Sequence, residues 1–275
     1  MVFQAPSKFL FDIGANLTHS RYDKDLIEVL DRAFSAGINH MVVTGTSIDV
    51  SKRALTLATQ YPNLLSCTAG VHPHDANSWN CDSAEIIRNL ANHNKVVALG
   101  ECGLDFNRNY STPDEQLKCF EAQLELAAEL KKPLFLHQRD AHDDFINLIK
   151  RYRSQLGNIV VHCFTGSENE MRECIELDCH IGITGWIADK KRGHSLRQLV
   201  RHIPLDRILI ETDAPYLTPQ NIRPKPKSSR NEPAYLPYVL HKLSEVTGSE
   251  LTALSEVLYT NSVKFFQLED LLIRQ

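Results

Sequence analysis

Paired cysteine motifs, an excess of positive charge and long apolar runs are all missing from this chain of 275 residues. The seven cysteines are an odd, scattered set without a C-x-x-C pair. That speaks against a disulfide framework and for free thiols in a reducing compartment. Lysine and arginine number 30 against 34 aspartates and glutamates, giving a net charge of −4 and a pI near 6.3. A bulk basic nucleic-acid binder is excluded on that balance, whereas a local basic patch is not. No apolar run approaches the ~20 residues of a membrane span. Met1 to Lys8 lack the apolar core of a secretory leader. There is no low-complexity tract and no short repeat. These absences lead us to expect a soluble cytoplasmic protein without a membrane or an obligate protein partner, a monomer by default.

What is present is one pattern, repeated. A short apolar run rich in β-branched residues leads to a polar tip and then to an amphipathic helix. "HMVVTG" precedes "VSKRALTLATQY", "VVALGECGLDF" precedes "PDEQLKCFEAQLELAAEL", and "PLFLHQRDA" precedes "HDDFINLIKRY". With the first run, Phe9-Leu10-Phe11, about eight such strand–helix units are counted. Continuous apolar strands alternating with helices predict a parallel sheet covered by helices. With 43% hydrophobic residues there is material for one large core. Eight units in a chain of this length predict an α/β fold of the (β/α)8 TIM-barrel class, residues 1–275 forming a single domain. A doubly wound sheet is the alternative. Pro113 followed by Asp114 and Glu115 marks a helix start, and Gly37 and Gly248 mark helix ends.

The doubly wound alternative does not require special chemistry at nearly every strand end, and such chemistry is present. His72 and His74 follow the third apolar run, and Glu101 and Asp105 the fourth. His137, Arg139 and Asp140 follow the fifth, His162 the sixth and Asp213 the eighth. In a TIM barrel these ends build the active site. The strand period of two sets Cys102 and Cys163 opposite their neighbours Glu101 and His162, so both cysteines read as packing. Glu101, His137, His162 and Asp213 remain as an inward set able to hold one or two divalent cations with room for water. The first strand ends in Asp12-Ile13-Gly14-Ala15-Asn16, without the His-x-His pair of many barrel-shaped metal hydrolases.

Five motifs, "GVHPHD" (Gly70–Asp75), "LGECGLDF" (Leu99–Phe106), "HQRDA" (His137–Ala141), "HCFTG" (His162–Gly166) and "ETDAPYL" (Glu211–Leu217), make the chain resemble the TatD-like metal-dependent deoxyribonucleases. That family's fold is an amidohydrolase-like TIM barrel, and the resemblance implies metal-dependent hydrolysis of phosphodiesters. It matches the family's metal-binding residues to Glu101, His137, His162 and Asp213. The usual first-strand histidines fall on Gly14 and Asn16. A subgroup with a D-I-G-x-N-L-T string like Asp12–Thr18 shares that departure, and its activity is 3′-to-5′ exonucleolytic on single-stranded DNA and RNA. One ion would sit among Glu101, His137 and His162. A second would rely on Asp213, Asp12, the Asn16 amide oxygen and water. The resemblance implies Mg²⁺, whereas the imidazoles alone would suit Zn²⁺ or Mn²⁺.

For hydrolysis, Asp213 is the candidate general base and Glu101 the key electrostatic group. His72 and His74 either donate to a phosphate or protonate the leaving oxygen, or else brace their loop. Asn16 is a candidate substrate contact. Arg139 either forks onto a phosphate or pairs with Asp105 or Asp140. Basic residues crowd two loops, "DKKRGH" with Lys190, Lys191 and Arg192, and "NIRPKPKSSRNEP" with Arg223, Lys225, Lys227 and Arg230. Such a track suits single-stranded DNA or RNA, and would serve DNA repair or RNA turnover. Two other functions fit the same residues: a barrel hydrolase of a small amide, ester or lactone, and a non-catalytic nucleic-acid-binding relative.

Overall fold

The computed structural model describes residues 9–273. Strands and helices alternate as the apolar runs predict. β1 (Leu10–Ala15) leads to α1 (Leu26–Ser35), β2 (Ile38–Val43) to α2 (Ile48–Gln60), β3 (Leu65–Ala69) to α3 (Ser83–Ala91) and β4 (Val96–Asp105) to α4 (Pro113–Leu130). β5 (Leu134–Arg139) leads to α5 (His142–Tyr152), β6 (Ile159–Val161) to α6 (Glu168–Glu176), β7 (Cys179–Ile183) to α7 (His194–Leu199) and β8 (Ile208–Ile210) to α8 (Leu236–Thr247). A ninth helix, α9 (Leu251–Phe265), follows. The strands are ordered β1 to β8 in one sheet. This is the α/β (β/α)8 TIM-barrel class. Two compact units divide the chain, one spanning Val43–His180 and the other holding the described parts of Met1–Val42 and Ile181–Gln275.

Within Val43–His180, β3, β4, β5 and β6 pair in parallel. α4 starts where the sequence signals it. Thr112 caps it in a capping box with Glu115, and Pro113 fills the first turn, where a missing N–H is harmless. Gln116, in that first turn, takes the Asp105 N–H on its Oε1 at 2.8 Å and donates to the Asp105 carbonyl at 3.1 Å. The helix thereby fixes the C-terminal end of β4.

In the other unit, β7 pairs with β8 in parallel, and Ala15 at the end of β1 bridges Ala214 just past β8. Gly248 ends α8 in the left-handed region, φ 74°, and its N–H bonds the Ser244 carbonyl at 2.8 Å. Gly37 has φ 89° past α1. Both are the helix ends that the glycines mark in the sequence.

Candidate metal centre

Glu101 is the hub of the Val43–His180 unit, and a break in the β4–β5 ladder puts it there. Gly100 registers with Phe135 and Cys102 with Leu136, so Glu101 is an inserted residue with no partner on β5. A bulge of this kind re-aims a side chain. It also demands glycine. Gly100 has φ +126°, and a Cβ there would lie 2.1 Å from the Phe135 carbonyl oxygen. Gly103, at φ +140°, faces the same conflict with the His137 carbonyl oxygen. Both glycines let β5 approach closely, and His137 comes with it.

Three imidazoles converge on one oxygen. Glu101 Oε1 lies 2.8 Å from His162 Nε2, 3.1 Å from His137 Nδ1 and 3.2 Å from His72 Nε2. His137 Nδ1 and His162 Nε2 are themselves 3.4 Å apart. All four side chains are largely buried. Burial alone would raise the Glu101 pKa, but the His162, His72 and His137 rings hold it well below the usual range. Asp105 forms the other wall. Its Oδ2 meets His74 Nε2 at 3.0 Å and His137 Nε2 at 3.3 Å, while its Oδ1 accepts the N–H groups of Asn107 and Arg108, both at 3.0 Å. Burial opposes ionisation of Asp105 as well, yet these bonds hold its pKa low. For His137, burial disfavours the charged ring, but Asp105 and Glu101 outweigh it and raise its pKa.

A carboxylate and several imidazole nitrogens clustered in this way can bind a divalent cation. Donor atoms of His72, Glu101 and His137 all lie within 4.8 Å of one another. His72 caps the short helix Pro73–Ser78, and its Nδ1 accepts the His74 N–H at 3.0 Å. Burial lowers its pKa to about 4, so the ring is neutral and its single proton sits on Nε2. In this neutral form His72 Nε2 donates towards Glu101. His137 Nε2 faces Asp105 at 3.3 Å, as in a carboxylate–histidine–metal arrangement, and its Nδ1 faces Glu101 at 3.1 Å. Glu101 and the rings of His72, His137 and His162 around it thus form the cluster in which a cation could be held.

The other candidates fall as follows. His72 braces the loop through the His74 N–H, and both rings face carboxylates, His72 Glu101 and His74 Asp105. Arg139 is exposed, and its guanidinium makes no ion pair among the described residues. Asp105 is taken by histidines, and Asp140 accepts from Asn107 at 2.6 Å, so neither pairs with Arg139. Cys102 is fully buried, and burial holds its pKa well above the ordinary thiol value, as a packing residue requires.

In the second unit, Asp213 has φ 52°, donates its N–H to Gly14 O at 2.9 Å and accepts Asn16 Nδ2 on Oδ1 at 3.0 Å. Asp12, expected to help hold a second ion, is engaged in hydrogen bonds here. Its Oδ1 accepts the Thr212 N–H at 2.9 Å and the Gly14 N–H at 3.3 Å, and its Oδ2 the Thr212 hydroxyl at 2.5 Å. Those bonds commit the carboxylate to fixing β8 beside β1. The Asn16 amide likewise turns its nitrogen to Asp213.

Sequence reasoning missed two features. Tyr110, exposed, packs its ring edge-on against His74 at 4.8 Å. Asp105, read only as one polar tip among several, bridges two histidines. Its place at the end of the "GLD" turn was the available signal.

Residues 11–267 match the model of the TatD related DNase family. The chain is 51% identical to a protein of Pectobacterium parmentieri named 3'-5' ssDNA/RNA exonuclease TatD, over 94% of this chain and 100% of that one. It is 49% identical to a protein of the same name from Escherichia fergusonii, over 94% and 98%. Two solved structures, a TatD family hydrolase from Entamoeba histolytica and a TatD homolog from Escherichia coli K12, each superpose with a TM-score of 0.85 at 28% identity. They cover 93% and 95% of this chain, and 97% and 99% of their own. With the match running from β1 through α9, the chain belongs to the TatD related DNase family.

Proposed function

We propose that this protein is a metal-dependent 3′-to-5′ exonuclease of single-stranded DNA and RNA. One observation carries the reading. A chain half identical to proteins of that name over 94% of its length holds a carboxylate oxygen within 3.2 Å of three imidazole nitrogens. Glu101, His137, His162 and, by family resemblance, Asp213 are the residues proposed to hold the cation. We take it to be Mg²⁺, again from the resemblance. When bound, it supplies an acidified water and polarises the phosphoryl group.

The remaining work falls to side chains. Asp213 accepts the proton of the attacking water. Glu101 stays ionised and fixes the nitrogens around it. His72 and His74 contact the phosphate, and His74 protonates the leaving oxygen. Arg139 and Asn16 contact the substrate. Arg139 is suited to this because no carboxylate neutralises it. We further propose a single-domain monomer, supported by one family match across 11–267. Trimming strands from the 3′ end suits DNA repair or RNA turnover. Seven free thiols suit the cytoplasm.

End-labelled single-stranded DNA incubated with Mg²⁺, with and without EDTA, tests the reading. A metal-dependent ladder shortening from the 3′ end is expected. Binding without cleavage in any divalent metal would leave a nucleic-acid-binding relative in its place.

A further inference from the structure

The two basic loops have different fates in the fold. Arg192 pairs with Asp189 at 2.8 Å and lies over the Trp186 ring at 4.3 Å. Arg230 binds both Asp25 oxygens, at 2.7 and 2.6 Å. These two are structural cations, neutralised where they stand. Lys190 and Arg223 are not. They line a cavity of about 360 Å³ in the unit that carries β7 and β8, together with Arg197, Lys242, Gln220 and Asn221.

We propose that this cavity is a second anion site, one that takes phosphate groups. Four cations and no carboxylate line it, in a chain whose net charge is −4. Like charges gathered this way repel one another, and a polyanion relieves that repulsion. The cations are also available. Lys190 Nζ makes no ion pair among the described residues. Lys242 is matched only by Glu245, at 2.7 Å on an exposed carboxylate. Arg197 commits only Nη1, to the carbonyls of Ile187 and Asp189, and Arg223 only Nη1, to those of Gln220 and Ile222. Those bonds hold each guanidinium in place while Nε and Nη2 remain for a ligand, the geometry in which arginine forks onto phosphate.

The walls are preorganised. Gln220 accepts the Lys190 N–H at 3.2 Å and donates to Asp189 at 2.8 Å, tying the loop after β7 to the loop after β8. In TIM barrels, loops after the seventh and eighth strands frequently form phosphate sites. Asn221 is fixed in the wall, its Nδ2 bound to the Tyr238 carbonyl at 2.9 Å.

The shared chemistry is a phosphate group. Its source is a nucleic-acid strand beyond the bond being cut, or a free phosphate compound. The choice of a strand rests on the exonuclease reading.

The Lys190→Gln, Lys242→Gln double variant tests the site, since neither ammonium holds backbone. Binding of a labelled ten-nucleotide single strand is measured by anisotropy in EDTA between 50 and 200 mM salt, and binding of pyrophosphate by calorimetry. Two lost contacts should lower the slope of log K against log salt by about 1.4 and weaken binding at low salt at least about tenfold. Loss of pyrophosphate binding with an unchanged strand slope would assign the site to a free phosphate compound. Identical behaviour of variant and wild type towards both ligands, or a wild type that binds neither, overturns the proposal. Cleavage in Mg²⁺ by the wild type is scored separately. Failure there with intact cavity binding sinks the exonuclease reading alone.

Discussion

Asp105→Asn is a one-atom change with an outcome that the hydrogen bonds dictate. The two oxygens of Asp105 are not equivalent. Oδ1 accepts two backbone N–H groups, from Asn107 and Arg108, whereas Oδ2 faces His74 Nε2 and His137 Nε2. An asparagine has one oxygen, and the two backbone donors hold it on their side. The amide NH₂ then faces both imidazoles. His137 Nε2 must accept instead of donate, which moves its proton to Nδ1. That nitrogen sits 3.1 Å from Glu101 Oε1 and is the atom proposed to bind the cation. A protonated Nδ1 cannot coordinate. Substitutions behind a metal-bound histidine typically weaken metal affinity about 10–100-fold, or ~1.4–2.8 kcal/mol. The upper end is expected here because the tautomer is inverted and not merely freed. Mn²⁺ binding followed by electron paramagnetic resonance gives the affinity, and long-range ¹H–¹⁵N spectra of the imidazoles give the tautomer. Wild-type Mn²⁺ affinity in a folded variant whose His137 proton has moved to Nδ1 would refute the assignment of Nδ1 as a ligand.

Other perturbations act on different links. Glu101→Ala removes the oxygen on which three imidazoles converge, so hydrolysis should fall more than about 100-fold; a variant folded by circular dichroism with most of its activity would end the metal assignment. Burial raises the Asp12 pKa from its ordinary 3.8 to about 7, against the opposing bonds from Thr212 and Gly14. A raised folded pKa means stability that is complete below pH ~4 and lost as pH climbs through about 7, on the order of 4 kcal/mol at 1.36 kcal/mol per pH unit. Asp12→Asn should abolish that decline, and denaturant unfolding at pH 5 and 8.5 that gives the same difference in both proteins would contradict it. A single strand blocked at its 3′ end should resist digestion; attack on closed circular strands would mark an endonuclease.

Much of the fold was legible because it rests on local pattern. Apolar runs between polar tips gave the eight strands, and Thr112, Pro113 and Gly248 behave as their chemistry demands. Glu101, His137 and His162 were legible as strand-end residues. What they do to one another was not. The bulge at Glu101 depends on how β4 registers with β5, a property of two segments together. The His72 tautomer depends on a backbone N–H two residues on, which only the Pro73–Ser78 turn brings within reach. Charge was the least legible of all. Arg230 looked like part of a basic track, yet its partner Asp25 stands 205 residues away in sequence. Lys190 and Arg223, from the same two loops, are the ones the fold leaves for a ligand.

The first strand shows how a missing ligand pair need not mean a lost function. Where many barrel hydrolases carry His-x-His, this chain has Gly14 and Asn16, flanked by Asp12. None of the three idles. Gly14 offers its carbonyl to the Asp213 N–H at 2.9 Å, and Asn16 donates to the Asp213 carboxylate at 3.0 Å. Asp12 holds Thr212, the residue before, by two separate bonds. All of these converge on a single-residue excursion, Asp213 at φ 52°, a conformation that a non-glycine residue keeps only when its surroundings enforce it. The polar tip of β1 therefore spends its donors and acceptors on fixing one aspartate at the end of β8. A strand end that in many barrel hydrolases carries histidines here positions a carboxylate, and substitutions at Gly14 or Asn16 should disturb Asp213 first.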